Sequence, residues 1–221
     1  MLLLIILFIL AIPFLIILFI LAIPFLIILG FFQVIRIGFE NLGIAPELVV
    51  VILLVMLIGS LVNIPLGRRR ITEIEETHLF GLIRKKKFVA QGLSINVGGA
   101  VIPLLISLYL LTKVPLELVV IPVALMTAVS YYLAKFIPGK GIAVPALLSA
   151  VIVAVIAFVA APGFAPLVAF IAGTFGVLIG ADLLHLPRVI KEGQGILSIG
   201  GAGVFDGIFL IGIISALLAG L

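Results

Sequence analysis

The chain has 221 residues, 65% of them hydrophobic and 10% charged, with a formal net charge of +4 and a mean hydropathy of +1.58. A water-soluble domain is about 45–50% apolar and about 25% charged, so this composition points away from a soluble fold and toward lipid as the surrounding solvent. There is no cysteine, which excludes disulfides, thiolate metal sites and cysteine nucleophiles. Together with the missing tryptophan and the abundance of Ile, Leu and Val, it fits a prokaryotic cell membrane.

Residues 1–29 are almost wholly apolar, with no Lys or Arg ahead of them. A cleavable signal needs a basic n-region, an h-region of about 7–15 residues and a small-residue cleavage site, so this run reads as a retained first span over about 3–29. Leu4 to Pro13 (LIILFILAIP) recurs as Leu15 to Pro24. Every position of this 11-residue repeat is apolar, so it defines no stripe and reads as a slippage duplication. A span takes about 20 apolar residues. Further runs lie at about 47–65, 93–111, 116–134, 142–160, 164–184 and 197–219, separated by Pro, Gly or charge. The expected class is therefore all-α: a polytopic transmembrane helical bundle of about seven spans, forming one integral membrane domain over residues 1–221. The polar loop 66–92 is the longest connection. Its acidic patch (Glu73, Glu75, Glu76) and the apolar pair Leu79 and Phe80 fit a short interfacial element, with its charges forming a solvated face and membrane-surface anchor.

Orientation follows from the cations. Loop 66–92 carries Arg68, Arg69, Arg70, Arg84, Lys85, Lys86 and Lys87; the loop after span four carries Lys135 and Lys140; the loop after span six carries Arg188 and Lys191. Seven spans put all three loops on one side, which the positive-inside rule assigns to the cytoplasm. Only Arg36 and Lys113 fall opposite. The N-terminus is then inside and the C-terminus outside. Cations placed this way set orientation and are no nucleic-acid footprint. The lipid bilayer is the expected partner, and no cofactor is called for.

Ionisable residues inside spans are costly and are default functional candidates. Two carboxylates qualify. Asp182 lies near the cytoplasmic end of span six, in GADLLHL, and Asp206 lies inside span seven, in GGAGVFDGIFL. Glycines let these consecutive spans approach: Gly173, Gly176 and Gly180 on six, and Gly200, Gly201, Gly203 and Gly207 on seven. Gly176/Gly180 and Gly203/Gly207 form two GxxxG pairs, a close-packing motif. At about 1.5 Å rise per residue, Asp206 would sit deeper than Asp182 if span seven were helical from Leu197. Unwinding at Gly200–Gly203 would bring the two toward one level. Two carboxyls in a poorly wetted site share a proton, which is the electrostatic basis of aspartyl proteolysis. Asp182 and Asp206 are thus the candidate catalytic pair. Asn96, Gly98, Gly99, Gly203 and Gly207 are the candidate substrate-binding residues that shape the pocket. The same pair would serve a proton- or ion-coupled small-solute transporter or channel. If each Asp only caps local backbone, the chain is a noncatalytic scaffold. His185 shares a helix face with Asp182 and reads as an interfacial residue. Tyr131 and Tyr132 fit an aromatic belt. No metal site is called for.

The segments GADLLHL and GGAGVFDGIFL, with SINVGGAVIPLL upstream, resemble a family of archaeal and bacterial multi-pass membrane proteins known as a domain of unknown function. The resemblance runs from span two onward and implies a membrane protein without an assigned activity. The chain is also similar, in the span numbers and orientation of its two acids, to presenilin-type intramembrane aspartyl proteases. That similarity implies Asp182 and Asp206 as a dyad acting on a transmembrane helix or peptide. The local letters differ: Ala181 precedes Asp182 where those proteases have Tyr, and Phe205 precedes Asp206 in place of Gly-x-Gly. Pro145-Ala146-Leu147 precedes both acids here rather than following them.

Overall fold

The computed structural model describes residues 2–67, 70–78, 83–137, 141–192, 196–201 and 207–221. The chain is mostly helical: α1 (Leu2–Asn41), α2 (Pro46–Gly59), α3 (Ile102–Leu111), α4 (Glu117–Leu133), α5 (Ala146–Ala160), α6 (Ala165–Val177), α7 (Leu184–Glu192) and α8 (Gly207–Ala219). A π-helical turn, Val97–Val101, leads into α3, and another, Leu178–Leu183, joins α6 to α7. Two helical stretches, Ile16–Asn41 and Pro162–Pro187, are long and apolar enough to cross a membrane. Shorter apolar helices among the described residues are Pro46–Gly59, Val97–Leu111, Glu117–Leu133, Ala146–Ala160 and Gly207–Ala219.

The all-α expectation needs amending. Strands β1 (Asn63–Pro65), β2 (Arg70–His78), β3 (Ile83–Asn96), β4 (Lys135–Ile137), β5 (Gly141–Ala143) and β6 (Ile196–Ile199) stand between the helices. β2 and β3 form an antiparallel hairpin where the interfacial element was expected; Leu79 and Phe80 lie outside the described residues. The inner end of β3 pairs with β1 on one side and, in parallel, with β6 on the other. β4 and β5 form a separate hairpin. Four expected spans, 47–65, 93–111, 142–160 and 197–219, therefore include extended residues at their β1, β3, β5 and β6 ends. Leu93-Ser94-Ile95 and Leu197-Ser198-Ile199 are apolar enough to join a hydropathy window. A short apolar run does not by itself distinguish strand from helix.

Glycine brings these segments together. A Cβ on Gly98 would strike the Met56 carbonyl at the end of α2, and one on Gly99 would strike the Gly200 carbonyl. Gly200 and Gly201 have φ of 77° and 66°, the left-handed region that glycine enters without a Cβ penalty. They turn the chain sharply after β6, and the next helix, α8, begins at Gly207.

α6 is the central helix. It packs on α3, α4, α5 and α8, and Val168 to Thr174 are buried without a break, as expected of a helix enclosed on all sides. Ser215 Oγ donates to the Ala169 carbonyl at 3.1 Å, and Gly212 lies against Phe170 and Thr174. Rising numbers on α6 thus meet falling numbers on α8, so the two are antiparallel. The expected roles of the GxxxG glycines change. Gly176 faces Met126 and Gly180 faces Thr127 and Ser130, all on α4. The glycines at the α6–α8 contact are Gly173 and Gly212. A Cβ on Gly207 would meet nothing within 4 Å, and Gly203 lies outside the described residues. A helix surrounded by four others needs small residues on every side, so its glycine pattern alone does not name the neighbour.

α1 also departs from expectation. Its apolar stretch 16–29 is exposed, and the contact with the remaining helices is made by Ile35, Phe39 and Leu42, 2%, 0% and 1% exposed. Phe39 packs beside Phe209 of α8. These positions recur at i, i+4 and i+7, one face of a helix. The intervening Arg36 and Glu40 pair with each other at 2.7 Å on the exposed side.

Candidate functional site

Asp182 stands in the π-helical turn 178–183, half-buried. Single π-turns inside helices often mark functional sites. Here the turn lies where the backbone of Gly180 presses against α4. His185 reaches back to two carbonyls of the turn: its Nδ1 lies 3.1 Å from Gly180 O and 3.0 Å from Ala181 O. As the donor to these acceptors, Nδ1 carries the proton. The ring stacks on Tyr131, with centroids 4.7 Å apart. His185 therefore braces the turn that carries Asp182.

The Gly200 N–H donates to Asp182 Oδ2 over a long 3.4 Å, tying the acid to the left-handed turn after β6. On its other side Asp182 borders a cavity of about 230 Å³, walled by Ile142, Ala143 and Val144 from β5 and its continuation, Val177 of α6, and Gly207 and Ile208 of α8. Gly207 directly follows Asp206 in the chain. Asp206 itself, like Gly203, lies outside the described residues.

Asn96 is fully buried and belongs to a neighbouring polar cluster. Its Oδ1 accepts the Gly99 N–H at 2.7 Å, capping the π-helical turn 97–101. Its Nδ2 donates to Ser60 O at 2.7 Å and to Asn63 Oδ1 at 3.2 Å. Ser198 Oγ also donates to Asn63 Oδ1, at 2.8 Å. Of the residues expected to bind substrate, Gly207 lines the cavity. Asn96, Gly98 and Gly99 are not on its wall but join the backbone of α2, β1 and β6 behind it. Asp182 connects to that junction through Gly200, whose carbonyl faces Gly99. Asn63, Ser198 and Ile142–Val144 were not singled out from sequence. The repeated Leu-Ser-Ile, paired in register between β3 and β6, was the available signal for Ser198.

The family described as protein of unknown function (DUF1614) matches residues 57–218, and the chain belongs to that family. No curated protein and no solved structure shows significant similarity to it.

Proposed function

We propose that this member of the DUF1614 family is a multi-pass protein of a prokaryotic cell membrane that hydrolyses a membrane-embedded peptide with Asp182 and Asp206. The observation carrying this reading is that Asp182 and Gly207, the residue after Asp206, border one cavity. The cavity is otherwise lined by aliphatic side chains and the end of a strand. One carboxyl is ionised and takes a proton from water. The water oxygen bonds to the peptide carbonyl carbon while the protonated carboxyl gives its proton to the carbonyl oxygen. Breakdown of the resulting gem-diol returns a proton to the amide nitrogen as the C–N bond breaks. The N-terminus lies inside and the C-terminus outside, which puts the cavity near the inner leaflet.

In vesicles containing the purified protein and a reporter transmembrane helix, Asp182→Asn and Asp206→Asn are each expected to abolish cleavage. Cleavage at the unsubstituted rate by either variant overturns the proposal.

One feature favours proton- or ion-coupled transport instead. α3 and α8 each start after a strand and a glycine pair, and the two strands lie side by side. Discontinuous helices at a common level are a transporter device. An ion flux that both Asp variants lose, in vesicles that never cleave a peptide, would select that reading.

A further inference from the structure

We infer that the outer end of the bundle holds a glycerophospholipid, with an acyl chain in a cleft between α2 and α3 and its phosphate on Lys113; this rests on the membrane reading above. α2 meets the turn that leads into α3 at its inner end, where Gly59 lies against Gly98. Toward the outer end a cleft of about 450 Å³ opens between the two helices, within the range of about 300–1,000 Å³ usual for ligand pockets. Ala45, Leu48 and Ile52 form one wall, and Leu105, Ile106 and Tyr109 the other. Both sets follow helical spacing, so the cleft runs along the helix axes. It is open to the surroundings: Leu48, Leu105 and Tyr109 are each more than half exposed.

A cation stands at the mouth of this apolar cleft. Lys113 follows the end of α3, four residues beyond Tyr109. Its Nζ lies 4.6 Å from the Tyr109 ring centroid, a cation–π contact, and 4.0 Å from where a Cβ on Gly43 would stand. The ammonium is thus placed between α3 and the α1–α2 turn, both of which line the cleft. Among the described residues it has no ion-pair partner, Arg36 being matched with Glu40. Glu47 and Glu117 stand in the first turns of α2 and α4 at the same end, so a free anion meets no net positive field there. A phosphate joined to an acyl chain gains the burial of that chain as well. A single cation at headgroup depth over an apolar groove is the complement of a phospholipid.

The chain has no tryptophan, so Val51→Trp, at an exposed position of α2 beside Ile52, supplies a sole fluorophore next to the cleft without filling it. The full-length protein in detergent micelles is titrated with phosphatidylglycerol brominated on its acyl chains. The expected result is quenching that saturates at few lipids per protein. Lys113→Gln should weaken this binding several-fold and Lys113→Arg should keep it, while Lys135→Gln, at the opposite end of α4, should leave it unchanged. Brominated diacylglycerol should bind several-fold more weakly, and inorganic phosphate should not displace the lipid. Quenching that rises only in proportion to lipid content, or that ignores Lys113→Gln, overturns the inference. So does displacement by inorganic phosphate, which would make this a site for a free anion. The membrane reading is tested apart: in nanodiscs of brominated lipid, a Phe158→Trp reporter on the exposed side of α5 should be strongly quenched whether or not the cleft binds, and its failure to be quenched would overturn that reading.

Discussion

Asn96 satisfies three partners from one buried side chain: the Gly99 N–H, the Ser60 carbonyl and Asn63. Removing it strands buried polar groups at about 1–3 kcal/mol each and loses a cap worth about 0.5–2 kcal/mol. Asn96→Ala should therefore destabilise the fold by roughly 2–4 kcal/mol, read as a lower unfolding midpoint in detergent; an unchanged midpoint would show that the cluster carries no weight. Gly200→Ala faces a left-handed φ and a clash with Ala100. Strain of about 1–2 kcal/mol and overpacking of about 1–3 kcal/mol add, so its midpoint should fall comparably. Asn96 and the Gly200–Gly201 turn were legible in sequence, because a polar residue and a glycine pair stand out in an apolar run. Asn63 and Ser198 were not. Each looks like an ordinary loop or span-end residue until β1, β3 and β6 bring them together across more than a hundred positions.

At the scale of elements, hydropathy located the helices and misplaced their working ends. It cut the first span at Leu29 because Gln33, Arg36 and Glu40 interrupt the apolar run. The packed face is Ile35, Phe39 and Leu42, which periodicity identifies and average hydropathy does not. Phe39→Ala should cost about 3–5 kcal/mol, whereas Ile27→Ala, at a site 66% exposed, should change the midpoint little. Equal effects from both would contradict this division of α1. The strands escaped for a related reason. Leu-Ser-Ile is as apolar as the helices it adjoins, and its pairing depends on a partner distant in sequence.

At the scale of the molecule, seven membrane spans were expected, and among the described residues two helical stretches, Ile16–Asn41 and Pro162–Pro187, are long and apolar enough to cross a membrane, the other apolar helices being shorter. Many are shorter than expected: α8 has 13 residues, about 20 Å at 1.5 Å per residue, against a hydrocarbon core of about 30 Å. A stretch shorter than the hydrocarbon core is accommodated by local thinning of the bilayer, and strand segments extend several of these helices at their ends. The topology proposed above predicts that a membrane-impermeant thiol reagent labels Thr77→Cys from the cytoplasmic side and Lys113→Cys from the opposite side. Labelling from one common side would refute it. The candidate site was half legible. Two lone acids in consecutive apolar runs could be found by counting, but the wall supplied by Ile142–Val144 depends on how β5 packs against the π-helical turn 178–183.

Because the chain has no cysteine, an Asp182→Cys/Asp206→Cys double variant carries only two thiols. A short bifunctional thiol reagent, applied to the protein in native membranes, tests directly whether positions 182 and 206 open onto one cavity. Efficient intramolecular linking, absent from either single variant, is the predicted result. Two thiols that each react with a monofunctional reagent yet never link would contradict it.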